Sequence, residues 1–142
     1  MTNDGEKEFK SAWECANTGN HSEAIKLFQT AADMGHTGAM VELGHYYLDG
    51  IHIEKDYEKA TFWYSQAAEK GNPQGDSFLG WCYEHGYGVH KALDMALFHY
   101  WHATETGEEC ATASFERLTS DIKVYADNGD VSAIQLLQPY TV

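Results

Sequence analysis

Eight histidines and three cysteines are the residues in this chain that could bind a metal ion. Cys82 and His85 lie at an i, i+3 spacing with His90 nearby, and His99 and His102 repeat that spacing. Structural zinc usually takes four ligands at tight spacings, often from paired cysteines, and no second cysteine pair exists here. We therefore predict no metal site and no cofactor.

Catalytic chemistry has as little support in the sequence. The spacing argues for no Ser-His-Asp or Cys-His arrangement, and carboxylates are too numerous in this acidic chain to single out a pair. The segment Gly86-Tyr87-Gly88-Val89 resembles a phosphate-binding loop only superficially, because such loops join a strand to a helix and this one lies between two helical patterns. We predict no catalytic residues, no cofactor-binding residues and no enzymatic activity.

The formal net charge of −13, from 22 acidic and 9 basic residues, limits the class of partner. Such a surface repels the phosphates of nucleic acids and the headgroups of anionic membranes, so we expect neither as a partner. A basic protein would instead be attracted and steered toward it. The alternative is a surface whose charge serves solubility alone.

Nothing in the sequence predicts export or membrane insertion. The N-terminal residues, Met-Thr-Asn-Asp-Gly-Glu-Lys, contain no apolar segment of the kind that signal peptides need. No apolar run approaches the roughly 18 residues of a membrane span. Cys15, Cys82 and Cys110 form an odd, scattered set with no disulfide framework. We expect a reducing, cytoplasmic location, although a chain whose leader had been removed would look the same.

A repeat of 36 residues organises the elements that would carry any site. One spacing recurs at too many positions to arise by chance, and periods of this length are typical of helical solenoids. The equivalent positions include Ala24, Ala60 and Ala96; Phe28, Tyr64 and Tyr100; and Gly35, Gly71 and Gly107.

Each repeat predicts a pair of helices. In the central repeat, Leu43 and Tyr47 lie four residues apart on one helical face, and Gly50 then breaks the pattern. Asp56 is placed to cap the second helix, and Gly71 is placed to end it in the left-handed conformation.

Two pairs of small residues are expected where these helices approach most closely. Gly44 and Ala60 would lie on facing helices of the central repeat, and Gly80 and Ala96 would repeat the arrangement in the next. Small side chains let two backbones come close, so we interpret these residues as structural.

The central pattern resembles a Sel1-like repeat, a relative of the tetratricopeptide repeat. The residues that carry the resemblance are Ala39-x-x-x-Leu43-Gly44-x-x-Tyr47-x-x-Gly50, then Asp56-Tyr57-Glu58-Lys59-Ala60-x-x-Trp63-Tyr64-x-x-Ala67-Ala68-x-x-Gly71. The next repeat carries Leu79-Gly80 and the Gly86-Tyr87-Gly88-Val89 loop of the family.

This resemblance implies an all-α fold: a right-handed α/α superhelix (solenoid) of antiparallel helix pairs, with about three Sel1-like repeats and a C-terminal capping helix pair. We expect a single domain over residues 1–142. Its units would span about 5–35, 36–71 and 72–107, followed by a degenerate cap at 108–142. Atypical terminal units are usual, because the ends of a solenoid face water.

The chain departs from the family pattern in three places. The loop of the first unit, 19–24, is short and more like a tetratricopeptide turn. Ala92 replaces the helix-opening aspartate, so Asp94 is expected to cap instead. Glu116 replaces a small glycine, which predicts one long helix at 109–127 and a short one at about 131–137. The apolar stripe of the long helix would comprise Phe115, Leu118, Ile122 and Tyr125.

Arrays of this kind resemble scaffolds that bind proteins in a concave groove, lined by the first helix of each pair. Trp13 and Trp81 are the strongest candidates for contacts, because tryptophan is enriched among the residues that dominate binding energy. Either could instead be buried between neighbouring helices. The partner-binding residues implied by the register are Phe9, Trp13, Val41, His45, Leu48, Asp49, Ser77, Trp81, Glu84 and His85, with Ala16, Asn17 and Gln74 beside them.

The resemblance thus implies a protein–protein interaction module that binds a partner protein or peptide through the groove and has no chemistry of its own. A narrower alternative is a cytoplasmic immunity or inhibitor protein that neutralises a cognate toxin or enzyme, with the acidic surface matched to a basic target. An enzyme or metal-dependent protein is a third alternative. The oligomeric state stays open, since the sequence has no heptad pattern.

Overall fold

The computed structural model describes residues 4–141, and over that range it contains eight α-helices and no strand. Residues 1–3 and 142 lie outside the described range, and part of the N-terminal stretch discussed above falls there. The helices are α1 (Glu6–Asn17), α2 (His21–Asp33), α3 (Thr37–Asp49), α4 (Tyr57–Glu69), α5 (Pro73–His85), α6 (Leu93–Glu105), α7 (Glu109–Asp127) and α8 (Val131–Leu137), followed by a 3-10 turn at Gln138–Tyr140.

Each helix packs against the helix before it and the helix after it, which is how a solenoid buries its core. The predicted all-α superhelix of antiparallel helix pairs is confirmed. None of the helices within residues 4–141 combines the length and the apolar character that crossing a bilayer requires.

The helix ends confirm the main capping predictions and correct one of them. The Asp56 carboxylate accepts a hydrogen bond of 3.1 Å from the Lys59 backbone N–H, as an N-cap should. Gly71 follows α4 with φ 87°, the left-handed conformation expected of it. The expectation for Asp94 is wrong, because Ala92 is the N-cap of α6 and no side chain caps that end. Asp94 lies in the first turn, where its charge complements the helix dipole.

One aromatic residue from each second helix fills the core at the same register position. Phe28, Tyr64 and Tyr100 are almost completely buried. Gly44 lies so close to Tyr64, and Gly80 to Tyr100, that a Cβ at either glycine would collide with the ring. The predicted close approach of paired helices is therefore confirmed, with the ring of the second helix as the nearest neighbour.

The C-terminal cap has the two helices that the sequence predicts, with the predicted bounds. Leu118 and Ile122 of α7 are buried in a cluster with Ala133 of α8. Tyr125 corrects the predicted stripe, since 63% of its surface is exposed. It lies in the last turn of α7, at the edge of a hollow that α8 also lines.

Candidate functional site

The first helices α3, α5 and α7 present side chains to one side of the solenoid, and we call this surface the groove face. It is defined by Leu48 of α3, Phe78 and Trp81 of α5, and Cys110 and Ser114 of α7, which together line a single hollow of about 290 Å³. We call this space the apolar hollow. Its lining is completed by Gln74, Ser77, Tyr100 and Glu108.

The floor of the apolar hollow is held by stacked and edge-on rings. Phe78 stacks on Tyr64 with 5.2 Å between ring centroids, and the edge of His45 meets Phe78 at 4.5 Å. His45 Nδ1 lies 2.7 Å from the Tyr64 hydroxyl. Burial lowers the pKa of His45, against an opposing effect of Asp49, and burial raises the pKa of Tyr64. The hydrogen bond between His45 Nδ1 and the Tyr64 hydroxyl holds both rings in place.

A second hollow, of about 240 Å³, adjoins the first where the rings of His45 and Phe78 touch. We call it the histidine hollow, and its lining is His21, Glu42, His45, Tyr46, Asp49, Ile51 and His52.

Inside the histidine hollow, two imidazole rings are held in parallel. The rings of His21 and His52 stack at 3.7 Å, and His21 Nδ1 lies 2.8 Å from the Tyr46 hydroxyl. Burial raises the pKa of the Glu42 carboxyl at its edge.

The two tryptophans singled out from the sequence are each packed on one side and open on the other. The Trp81 ring lies 4.9 Å from both His85 and Tyr87, yet it also lines the apolar hollow. Trp13 makes an edge-on contact with Phe28 at 5.7 Å and remains 40% exposed. Neither ring is wholly core or wholly free, so both offer an oriented aromatic surface.

Some of the other residues implied by the register line the two hollows, and the rest lie outside them. Leu48 and Ser77 line the apolar hollow, and Asp49 lines the histidine hollow. Phe9 is half-buried and stacks on His36 with 4.2 Å between centroids. The side chains of Asn17, Gln74 and His85 are exposed, and Ala16 is half-buried.

Val41 and Glu84 were expected on the groove and are buried instead. Val41 is only 1% exposed, because it faces the neighbouring helices and belongs to the core. Arg117 Nη2 donates to both carboxylate oxygens of Glu84, at 2.7 and 2.8 Å, and the Tyr100 hydroxyl donates to it at 2.7 Å. The prediction is therefore wrong for both residues: neither is available to a partner.

The histidine and cysteine spacings considered for metal binding have other contacts. His99 Nδ1 and His102 Nδ1 lie 3.0 and 2.8 Å from the two carboxylate oxygens of Asp76. Burial would raise the pKa of Asp76, but these two hydrogen bonds outweigh it and hold the pKa below its ordinary value. Cys82 is buried, which raises the pKa of its thiol. Within residues 4–141, no three His, Cys, Asp or Glu side chains converge as metal ligands would.

Sequence reasoning missed several residues of the two hollows. One register position supplies three of them, Glu42, Phe78 and Ser114, which lie 36 residues apart. This position comes three residues before that of His45 and Trp81. The signal was available, because residues three and four apart share a helical face. Position 41 was chosen in its place: Ser77, its equivalent in the next repeat, lines the apolar hollow, but Val41 itself belongs to the core. Glu108 and Cys110 were missed because the first turn of the cap was treated only as an end.

The helix pairs repeat every 36 residues, and the first helix of each pair lines one face. This arrangement defines a helical-repeat protein of the solenoid class. The family model described as Sel1 repeat matches residues 18–36, 37–72 and 73–100. The chain therefore belongs to the Sel1 repeat family, and the resemblance inferred from its sequence is confirmed.

Solved structures share this fold. A Sel1 repeat protein from Oxalobacter formigenes is 31% identical, with a TM-score of 0.75 over 80% of this chain and 89% of that one. Cysteine rich protein B of Helicobacter pylori, at 22% identity, covers 80% of this chain and 96% of its own with a TM-score of 0.63, a likeness of fold alone. A protective antigen of uropathogenic Escherichia coli strains is 25% identical over 91% of this chain and 32% of its own, with a TM-score of 0.72.

No curated protein sequence resembles the chain closely enough to count as a relative. Its class of function thus comes from the family. Sel1 repeat proteins are generally scaffolds for protein–protein interaction and are typically non-catalytic.

Proposed function

We propose that this chain is a protein-binding module whose groove face holds a segment of a partner protein. The observation that carries the proposal is the apolar hollow, where Leu48, Phe78 and Trp81 from two helices leave about 290 Å³ of open space. A concave, mainly apolar site with a few polar groups at its edge is the usual form of a binding pocket. Trp81, anchored on one side and open on the other, is the kind of residue that dominates binding energy.

The charge of the chain supports a basic partner. Acidic residues exceed basic ones by 13, so a basic surface would be steered toward the chain over long distances. Charge complementarity of this kind speeds association more than it tightens the final complex. We therefore expect the rate of partner association to fall steeply as the salt concentration rises.

A pair of matched variants tests the groove. Gln74 is exposed at the edge of the apolar hollow, and Gln135 is exposed on α8 of the cap, away from the hollow. Gln74→Arg and Gln135→Arg introduce the same side chain and the same charge. Each protein is used to capture partners from a native-host lysate, and a captured partner is identified by mass spectrometry and confirmed with the purified protein. We expect wild type and Gln135→Arg to retain one partner and Gln74→Arg to lose it. Equal retention by all three would count against the groove.

The net charge also favours the narrower candidate, an inhibitor that neutralises a basic toxin or enzyme. The decisive observation is the product of the reading frame beside the gene for this chain. We expect that product to be basic and to arrest growth when expressed alone. Co-expression of wild type should restore growth, and co-expression of Gln74→Arg should not. A harmless neighbouring product would remove this candidate and leave the general binding module intact.

A further inference from the structure

We propose that the apolar hollow is an anchor site for one aromatic or large aliphatic side chain in an extended partner segment, flanked on both sides by lysine or arginine. This inference rests on the proposed use of the groove, and it adds the chemistry of what the groove recognises. It follows from the size of the hollow, from the distribution of charge around it, and from the rigidity of its walls.

The hollow has room for one large apolar side chain. Its volume is about 290 Å³, and an apolar cavity of about 150 Å³ is enough to hold benzene. Leu48, Phe78 and Trp81 supply apolar walls, and Ser77 is small enough to leave the centre open. Burying an aromatic or large aliphatic side chain here would supply the main favourable term of binding.

The charges along the groove have one sign. Glu108 lies at the apolar hollow, and Glu42 and Asp49 lie at the histidine hollow that adjoins it. None of the residues that line either hollow is lysine or arginine. Cations next to the anchor would therefore meet carboxylates in both directions along the groove. An acidic segment would meet like charge, and so would a second copy of a chain whose net charge is −13.

The walls are held in place before any partner arrives. Phe78 is fixed between Tyr64 and His45, and Trp81 is packed against His85 and Tyr87. Because these rings are already ordered, binding does not have to immobilise them, and a short peptide can bind without refolding the site.

Three acetylated, amidated pentapeptides test the inference: Gly-Lys-Phe-Lys-Gly, Gly-Glu-Phe-Glu-Gly and Gly-Lys-Gly-Lys-Gly. The readout is the indole N–H resonance of Trp81 in 15N-labelled protein, with the other three tryptophans as internal references. We expect the Lys-Phe-Lys peptide to shift the Trp81 resonance in a saturable way. The Glu-Phe-Glu and Lys-Gly-Lys peptides should each bind at least about tenfold more weakly, since one reverses the charge and the other lacks the anchor.

Matched variants locate the binding. Ser77→Leu fills the apolar hollow, and Ser120→Leu adds the same side chain at an exposed position of α7. We expect Ser77→Leu to abolish the peptide-induced shift and Ser120→Leu to keep it, with both variants giving the helical circular dichroism of wild type. If Ser77→Leu does not fold, Ser77→Val, which fills less of the hollow, takes its place and should weaken the shift.

Equal binding of Glu-Phe-Glu and Lys-Phe-Lys would overturn the inference, and so would shifts at Trp13 or Trp101 without a shift at Trp81. Either result would leave the proposed function standing if the Gln74→Arg variant still lost its partner. Loss of the peptide shift in Ser120→Leu but not in Ser77→Leu would place the anchor outside the hollow and also overturn it.

Discussion

Arg117 of the capping helix donates two hydrogen bonds to the carboxylate of Glu84 in α5, at 2.7 and 2.8 Å. Arg117 occupies the register position of His45 and Trp81. The repeats present this position to the groove, whereas the cap uses it to dock on α5. Glu84 is buried and also accepts a hydrogen bond from Tyr100. The pair therefore joins α7 to the last complete helix pair.

Removing Arg117 should loosen the cap. Arg117→Met leaves the buried Glu84 carboxylate with one partner instead of two. We expect the free energy of unfolding to fall by about 2 kcal/mol. The loss is smaller than for a fully buried ion pair because Arg117 is half exposed. Lys123→Met removes the exposed Lys123–Asp127 pair of the same helix and should cost less than about 0.5 kcal/mol. Urea unfolding gives both values. Equal losses would show that the Glu84 contact does not dock the cap.

The close packing of paired helices predicts that Gly44→Ala destabilises the protein. Alanine favours a helix by about 1 kcal/mol over glycine, but here its Cβ would enter the ring of Tyr64. Overpacking costs about 1–3 kcal/mol, and the severe collision with the Tyr64 ring places Gly44→Ala at the upper end. We therefore expect a net loss of roughly 2 kcal/mol. Gly80→Ala should cost less, since its Cβ would lie 2.9 Å from the nearest Tyr100 ring atom. A gain in melting temperature for Gly44→Ala would contradict this account of the small residues.

The carboxylate of Asp76, which binds two histidines between α5 and α6, should contribute stability at neutral pH and lose it in acid. Its folded pKa is held below the ordinary value of 3.8, so its contribution is complete above about pH 4 and declines as the pH falls from there toward the folded pKa. Asp76→Asn should cost about 2 kcal/mol at neutral pH. The difference from wild type should shrink only below about pH 4.

Urea unfolding of wild type and Asp76→Asn across that range measures the effect. Glu116→Gln, which neutralises an exposed carboxylate in the middle of α7, serves as the control and should differ little from wild type at any pH. A cost of Asp76→Asn that stays constant down to pH 3 would contradict the proposed linkage.

His45 should make the protein less stable as the pH falls from about 7 to about 5. Burial lowers its folded pKa below the ordinary 6.5, so the unfolded chain binds the proton first, and stability falls as the pH drops below 6.5. His45→Gln keeps a side chain that can hydrogen-bond the Tyr64 hydroxyl, but it does not titrate. The stability of wild type relative to His45→Gln should therefore fall between about pH 7 and pH 5. A difference that grows in acid would mean that protonated His45 is stabilised in the folded state.

The sequence was most informative where one residue type serves one geometric purpose at a fixed period. Gly44 and Gly80 were correctly expected at close approaches, and Gly71 at a helix end, because only glycine fits such positions without strain. The single long helix of the cap followed from Glu116 in the same way, since a bulky side chain cannot replace a packing glycine.

The groove was harder to predict, because the period gives equivalence between repeats and not the rotation of a helix about its axis. In the central repeat the sequence predicts Val41 on the groove. Val41 is core, and its neighbour Glu42 lines the histidine hollow instead. Glu84 looked like a surface carboxylate, since its partner Arg117 lies 33 residues away in a degenerate unit that no alignment of repeats predicts. Ion pairs across such a junction depend on tertiary packing and leave no local signal in the chain.

The central claim, that the groove face binds a partner protein, is tested most directly by cross-linking in the native host. The photoreactive amino acid p-benzoylphenylalanine is placed at Cys110, an exposed residue that lines the apolar hollow, or at Phe98, an exposed position of α6 that lines neither hollow. We expect irradiation to join a partner protein to the Cys110 variant and not to the Phe98 variant. Cross-linking of a partner at Phe98 with none at Cys110 would contradict the claim.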